Sequence, residues 1–152
     1  MLGMTLRQQI EQDLTVAMKS RDALRTSVLR MVKTAIRTKE VEKTDTHLED
    51  VQVVQLLQTL IKQRREAIEK FQQGNRPDLA EKEQQEILII EGYMPRAVAR
   101  EEILAVVQQV VTETGAASSR DFGRVMKAVM SRFAGQVVDG RLVGELVKAA
   151  LP

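Results

Sequence analysis

Residues 51–80 read VQVVQLLQTLIKQRREAIEKFQQGNRPDLA, and this stretch decides the fold class. Val54, Leu57, Ile61, Ile68 and Phe71 fall at alternating steps of three and four once Arg64 is counted in the stripe, the period of one helix face. Gly74 then predicts a stop, because glycine takes a left-handed C-terminal cap at no steric cost. Asn75 reads as the cap of a new helix with Pro77 in its first turn, and Asp78 supplies a carboxylate at the positive end of the helix dipole. No strand period interrupts this pattern. Working outward, the same spacing recurs nearly everywhere.

Upstream, Thr5 with Gln8 forms a capping-box signature ahead of Leu6, Ile10, Leu14, Ala17 and Met18. A second helix opens near Asp22, presents Leu24, Val28, Met31, Val32, Ala35 and Ile36, and decays over the polar stretch Glu42 to Thr46. The third helix is expected to follow a Thr46-x-x-Glu49 cap. Downstream, the helix from Pro77 runs through Ile87 and Ile90 to Gly92-Tyr93-Met94-Pro95, where proline ends it. Residues 101–114 are rich in valine, yet Ile103, Val106, Val107, Val110 and Val111 keep helical spacing, with Gly115 as the stop. A sixth helix opens at Ser118-x-x-Asp121 and a seventh at Asp139-Gly140. The reading is all-α, with about four helices in a module over residues 1–95 and a compact three-helix module over residues 96–152.

Composition narrows the function classes. Zero cysteines exclude disulfides and thiolate metal sites and suit a reducing compartment. The longest apolar run is Ile87 to Ile90, far short of a membrane span, and Met1 to Gln12 shows no leader pattern, so a cytosolic, membrane-free protein is expected. Net charge is only +2. Its distribution is uneven: +3 over residues 1–75, −4 over 76–113 and +3 over 114–152. That pattern favours a local basic patch over a general polycation.

A catalytic constellation is not visible. His47 is the sole histidine and lies in a polar linker without an oriented partner; no nucleophile elbow, Walker loop or zinc-binding H-E-x-x-H occurs. Glu83 and Glu86 share a helix face beside Glu81, with Glu101 and Glu102 farther on. Two carboxylates at this spacing could hold a divalent ion given a facing pair, but bundle metal sites normally add histidine, so a solvated face is expected and no metal or cofactor is assigned. Basic stripes are the stronger signal. Arg30, Lys33 and Arg37 cluster on the second helix, Arg120, Arg124 and Lys127 on the sixth, and Arg141 and Lys148 line up on the last. Such stripes suit either solvated faces or nucleic-acid contact. Phe71, Phe122 and Phe133 fall on apolar stripes and Tyr93 alone is placed otherwise, so any RNA contact should be to backbone and shape, without DNA sequence readout.

Four pieces in order carry a resemblance: Lys62-Gln63-Arg64-Arg65-Glu66 before Phe71, Arg76 through Glu83, Tyr93-Met94-Pro95, and Gly123-Arg124-Val125-Met126. Together they resemble the YqeY family over essentially the whole chain. Residues 97–151 also resemble the tail domain of GatB, the B subunit of the enzyme that amidates misacylated glutamyl- and aspartyl-tRNA. The match closes on Gly135 through Val143, although Asp139-Gly140 stands where such tails usually read Asn-Pro. Ala99 stands where the family usually offers a serine or threonine cap. The resemblance implies a non-catalytic, tRNA-associated helical module that contacts backbone through Arg120, Arg124, Lys127, Arg132, Arg141 and Lys148, alone or beside an aminoacylation or amidation complex. Rival expectations are a share in glutamine-dependent carbon-nitrogen ligase activity, inherited by label from GatB, and a helical protein-interaction adaptor.

Overall fold

The computed structural model describes residues 3–152; Met1 and Leu2 lie outside them. Among the described residues the chain is all-α. The helices are α1 (Leu6–Lys19), α2 (Ala23–Glu42), α3 (Asp50–Gln73), α4 (Pro77–Glu91), α5 (Arg100–Thr114), α6 (Phe122–Arg132) and α7 (Gly140–Ala150). A 3₁₀ turn, Ser119–Asp121, precedes α6. Two compact units result, Met1–Met94 and Pro95–Pro152.

In the first unit α1 pairs with α2 and α3 with α4, while α2 also meets α3 and α4. Ile10, Leu29, Val53, Leu57, Ile87 and Ile90 lose essentially all solvent contact in its core. Local chemistry shifts several predicted boundaries by a residue or more. Gly74 keeps φ at −84° and serves as the C-cap of α3. Asn75 is the left-handed residue, at φ 56°, and Arg76 takes the N-cap position of α4. Asparagine tolerates that conformation better than other side chains, so the turn uses it and leaves glycine helical. Nor does Thr46 cap α3: Glu49 does, its own N–H donating to the Gln52 side chain at 2.9 Å. Thr5 and Asp22 cap α1 and α2 as expected.

The feature that joins these helices is Glu40, at 0% exposure the one charged residue buried among those described. Arg7 of α1 donates to it from Nε at 2.6 Å and from Nη2 at 3.2 Å. The Leu48 N–H, at the entrance to α3, donates to the same carboxylate at 3.0 Å. A further link ties the starts of α1 and α3, where the Leu6 N–H donates to Asp50 at 2.9 Å. The Arg7 hydrogen bond holds the Glu40 carboxyl below its ordinary value of 4.5, outweighing burial, which pushes the other way.

In the second unit α5, α6 and α7 enclose Ile103, Val107, Val125, Val129, Val143 and Val147, none measurably exposed. Here the valines form helix because three- and four-residue steps place them all on one buried face, which outweighs their β preference. Segments ahead of α5 and α7 touch as a single parallel bridge, Ala97 with Val137, and the Val98 N–H donates to the Val137 carbonyl at 2.9 Å. Asp139 caps α7 by accepting from the Arg141 and Leu142 N–H groups. Ala99 holds N-cap geometry at α5, φ −70° and ψ 150°, without a side-chain acceptor.

Two outcomes are expected from these contacts. Glu40→Ala should cost about 1–3 kcal/mol in denaturant unfolding, because it leaves the Leu48 N–H without its acceptor and Arg7 with Glu11 alone, at 3.1 Å. Since the folded pKa of Glu40 lies below the unfolded one, its stabilisation is complete above the ordinary 4.5 and drains away as pH falls through the lower folded value. Glu40→Gln should flatten that acid limb, and an unchanged limb would contradict the assignment. Ala99→Ser should in turn raise stability by about 1 kcal/mol by giving α5 its missing acceptor.

Candidate nucleic-acid interface

The six basic residues expected to contact nucleic acid all lie in the second unit and all are exposed, but their surroundings divide them. On α6, Val125, Val129 and Phe133 face the core. Arg124 and Lys127, one turn apart, therefore project from the opposite side of the helix. Arg120 precedes them in the 3₁₀ turn. Asp121 organises this end. Its carboxylate accepts from the Ala117 N–H at 3.0 Å and the Ser118 N–H at 3.4 Å, and from Arg124 Nη2 at 3.0 Å. The Ala117 hydrogen bond is the largest influence holding the Asp121 carboxyl below its ordinary value.

Two more of the six are engaged by carboxylates. Arg132 pairs with Glu113 and so links α6 to α5. Arg141 lies 3.7 Å from Glu145 along α7. Arg120, Lys127 and Lys148 have no carboxylate partner within salt-bridge distance among the described residues, which leaves them the readier cations for an incoming phosphate. Sequence spacing identifies the exposed faces but not these pairings, because Glu113 reaches Arg132 from another helix.

The aromatic residues exchange the places expected of them. Tyr93 is buried, 8% exposed, and its hydroxyl donates to Asp13 at 2.5 Å. Burial, then the Asp13 carboxylate, push the phenol up to about 12. Phe122 is instead 37% exposed and lines a cavity of about 390 Å³ with Ser119, Lys148 and Leu151. A Cβ at Gly144 of α7 would just reach this ring at ordinary contact distance. Phe122 directly follows the 3₁₀ turn as the first residue of α6 and sits at the rim of the core.

In the first unit, Arg30, Lys33 and Arg37 are exposed along α2 as the stripe predicts. Arg37 is held at 2.5 Å by Asp45 and stands 3.7 Å from Glu40. Glu83 and Glu86 are not a solvated face. Both are largely covered and turn toward Arg64 of α3, at 3.9 and 3.8 Å, so a cation already answers them. Arg64 also donates to the Leu60 carbonyl at 3.1 Å, which explains a charged residue inside an apolar stripe. His47 is exposed in the α2–α3 connection. Among the described residues no group of three or more histidine, cysteine, aspartate or glutamate side chains converges as a metal site.

Comparison with known proteins gives this geometry a context. A family model described as Yqey-like protein matches residues 7–151. Curated relatives are named Altered inheritance of mitochondria protein 41, mitochondrial. That of Kluyveromyces lactis is 37% identical over 106 residues, 68% of this chain and 57% of the relative. That of Lachancea thermotolerans is 38% identical over the same shares. That of Pyrenophora tritici-repentis is 30% identical over 146 residues, 92% of this chain and 77% of its own length. The chain thus spans little more than half the length of the first two. These findings overturn the cytosolic expectation, since the relatives are named as mitochondrial proteins. Its grounds, an absence of cysteine and of long apolar runs, suit any reducing aqueous compartment and cannot single out the cytosol.

As the sole tyrosine in a chain without tryptophan, Tyr93 can be titrated directly by ultraviolet absorbance. Phenolate should appear only near pH 12, and Asp13→Asn should bring the midpoint down toward 10.0. Because the folded value is the higher, the unfolded chain loses its proton first, and stability should fall as pH rises above 10.0 toward 12. A midpoint at 10.0 in the native protein would remove the buried hydrogen bond from the account.

Proposed function

The chain belongs to the Yqey-like protein family, and on that premise we propose that its C-terminal unit is a non-catalytic module that holds tRNA by the phosphodiester backbone. The observation that carries the reading is the outward pair on α6, Arg124 and Lys127, turned away from buried Val125 and Val129 with Arg120 just upstream. Residues 114–152 carry a net +3, which supports a local anion-binding surface in a chain that is nearly neutral overall. The resemblance of residues 97–151 to the GatB tail supplies tRNA as the polyanion. An aminoacylation or amidation complex is the setting in which such a module would act.

Within this reading the cations differ in cost of use. Arg120, Lys127 and Lys148 can meet a phosphate without surrendering a carboxylate. Arg124, Arg132 and Arg141 would exchange the surface pairs with Asp121, Glu113 and Glu145, each worth about 0–1 kcal/mol, so an arriving phosphate can replace the carboxylate at small net loss. Contact through backbone also fits the chemistry of the surface, whose cationic guanidinium and ammonium donors pair with phosphate oxygens.

Filter binding of bulk tRNA tests the proposal. With about three phosphates neutralised, log affinity should fall with log salt at a slope of roughly −2 to −3, each contact releasing condensed counterion. Replacing Arg120 and Lys127 together by glutamine should flatten the slope by about two contacts and leave the helical circular dichroism unchanged. Binding indifferent to salt or to the double replacement would sink the proposal. Turnover of misacylated tRNA by the pure chain would overturn its non-catalytic part.

A further inference from the structure

The outward surface of α2 differs chemically from that of α6. Two adjoining hollows, of about 1070 and 650 Å³, run along it and share Met18, Arg30 and Thr34. Their floor is apolar: Met18 is 44% exposed and Val41 58%, with Met31 and Ala35 beside them. From Ala23 to Val41 the surface extends about 27 Å at 1.5 Å per residue, the length of a five-turn helix. Ala23, Ser27, Thr34 and Thr38 keep its crest low enough for another helix to approach closely.

Charge selects the occupant. Arg21, Arg30, Lys33 and Arg37 line the two hollows, and Glu42 is the one acidic lining residue. A phosphate backbone would also welcome cations, but the two hydroxyls at the centre of the strip, Thr34 and Thr38, are already committed. Thr34 donates to the Arg30 carbonyl and Thr38 to the Thr34 carbonyl, both at 3.0 Å. Their protons are turned into the helix and cannot serve a phosphate. An Arg30 N–H is likewise turned to the Met18 sulfur at 3.3 Å. A strip of thioether and methyl groups rimmed by cations complements an amphipathic helix that carries leucine-like anchors between glutamates or aspartates. We infer that the α1–α2 groove, bounded by Met18, Arg30, Lys33 and Val41, is a docking site for an acidic amphipathic helix of a partner protein.

The inference is independent of tRNA binding by the second unit and is tested on the full chain. The probe is a labelled synthetic peptide of about 18 residues, matched to the groove length, with leucines at three- and four-residue steps flanked by glutamates. Its controls are the same peptide with lysine for glutamate, and one with two central prolines. Fluorescence anisotropy should show the glutamate peptide binding about tenfold or more tightly than the lysine peptide, and the proline peptide not binding, since the rim charges discriminate partners by sign. Arg30→Glu with Lys33→Glu should weaken the glutamate peptide at least about fivefold. Thr34→Tyr, which fills the groove at unchanged charge, should do the same. Equal affinity for both charged peptides, or indifference to both variants with the helical signal intact, would overturn the inference. If tRNA affinity falls in the double variant while neither peptide responds, the groove is a nucleic-acid surface and the docking site is refuted.

Discussion

A carboxylate without solvent contact must be answered by donors, and Glu40 sets that condition for the first unit. It draws Arg7 from the start of α1 and the Leu48 N–H from the approach to α3, so three chain segments are tied to one pair of oxygens. A buried ion pair is weak evidence for net stability, because desolvation offsets much of the attraction. Its effect is on register. Were α1 to slide by one turn against α2, Ile10 and Leu14 could still find apolar neighbours, but Glu40 would lose both Arg7 hydrogen bonds and keep only the Leu48 N–H and Arg37 at 3.7 Å. The apolar residues make the helices associate; the carboxylate makes one association much better than its neighbours.

That condition explains what could and could not be read from the chain. Helix existence rests on local spacing, and residues 51–80 state it plainly through Val54, Leu57 and Ile61. Arg64 fitted the stripe by position yet not by chemistry, and the contradiction is resolved by Glu83 and Glu86 on a different helix. Glu40 was illegible for the same reason. It lies among Lys39, Glu42 and Lys43, where a solvated helix end is the natural reading, and its partner Arg7 is 33 positions away. Tertiary pairing of charges has no periodic signature.

The same limit governs the candidate interface. Spacing correctly turns Arg124 and Lys127 away from the core, since helical geometry alone decides it. It could not tell that Arg132 is engaged by Glu113 from α5, nor that Tyr93 is buried against Asp13 while Phe122 is left at the rim. Neither aromatic assignment has a signature in the spacing. A hydroxyl within reach of a carboxylate lets Tyr93 enter the core, and Phe122, the first residue of α6, stays at the rim of its own.

Two basic surfaces therefore emerge from a chain whose net charge is only +2, and their chemistry separates them more sharply than their charge does. On α6 Arg124 and Lys127 stand on the face turned from Val125 and Val129, where attraction to a polyanion is chiefly Coulombic and should be screened by salt, and the exposed apolar side chains of that helix are Phe122 and Met130. On α2 the cations rim Met18 and Val41, and the hydroxyls of Thr34 and Thr38 are folded back onto the helix carbonyls. Burial of that floor contributes a term that salt does not screen, at about 25 cal/mol per Å² of apolar area removed from water. A polyanion such as tRNA gains little from an apolar floor, and a helix with leucine-like anchors gains little from a bare cationic face. On the two proposals, selectivity between the surfaces would be set by what lies between the charges.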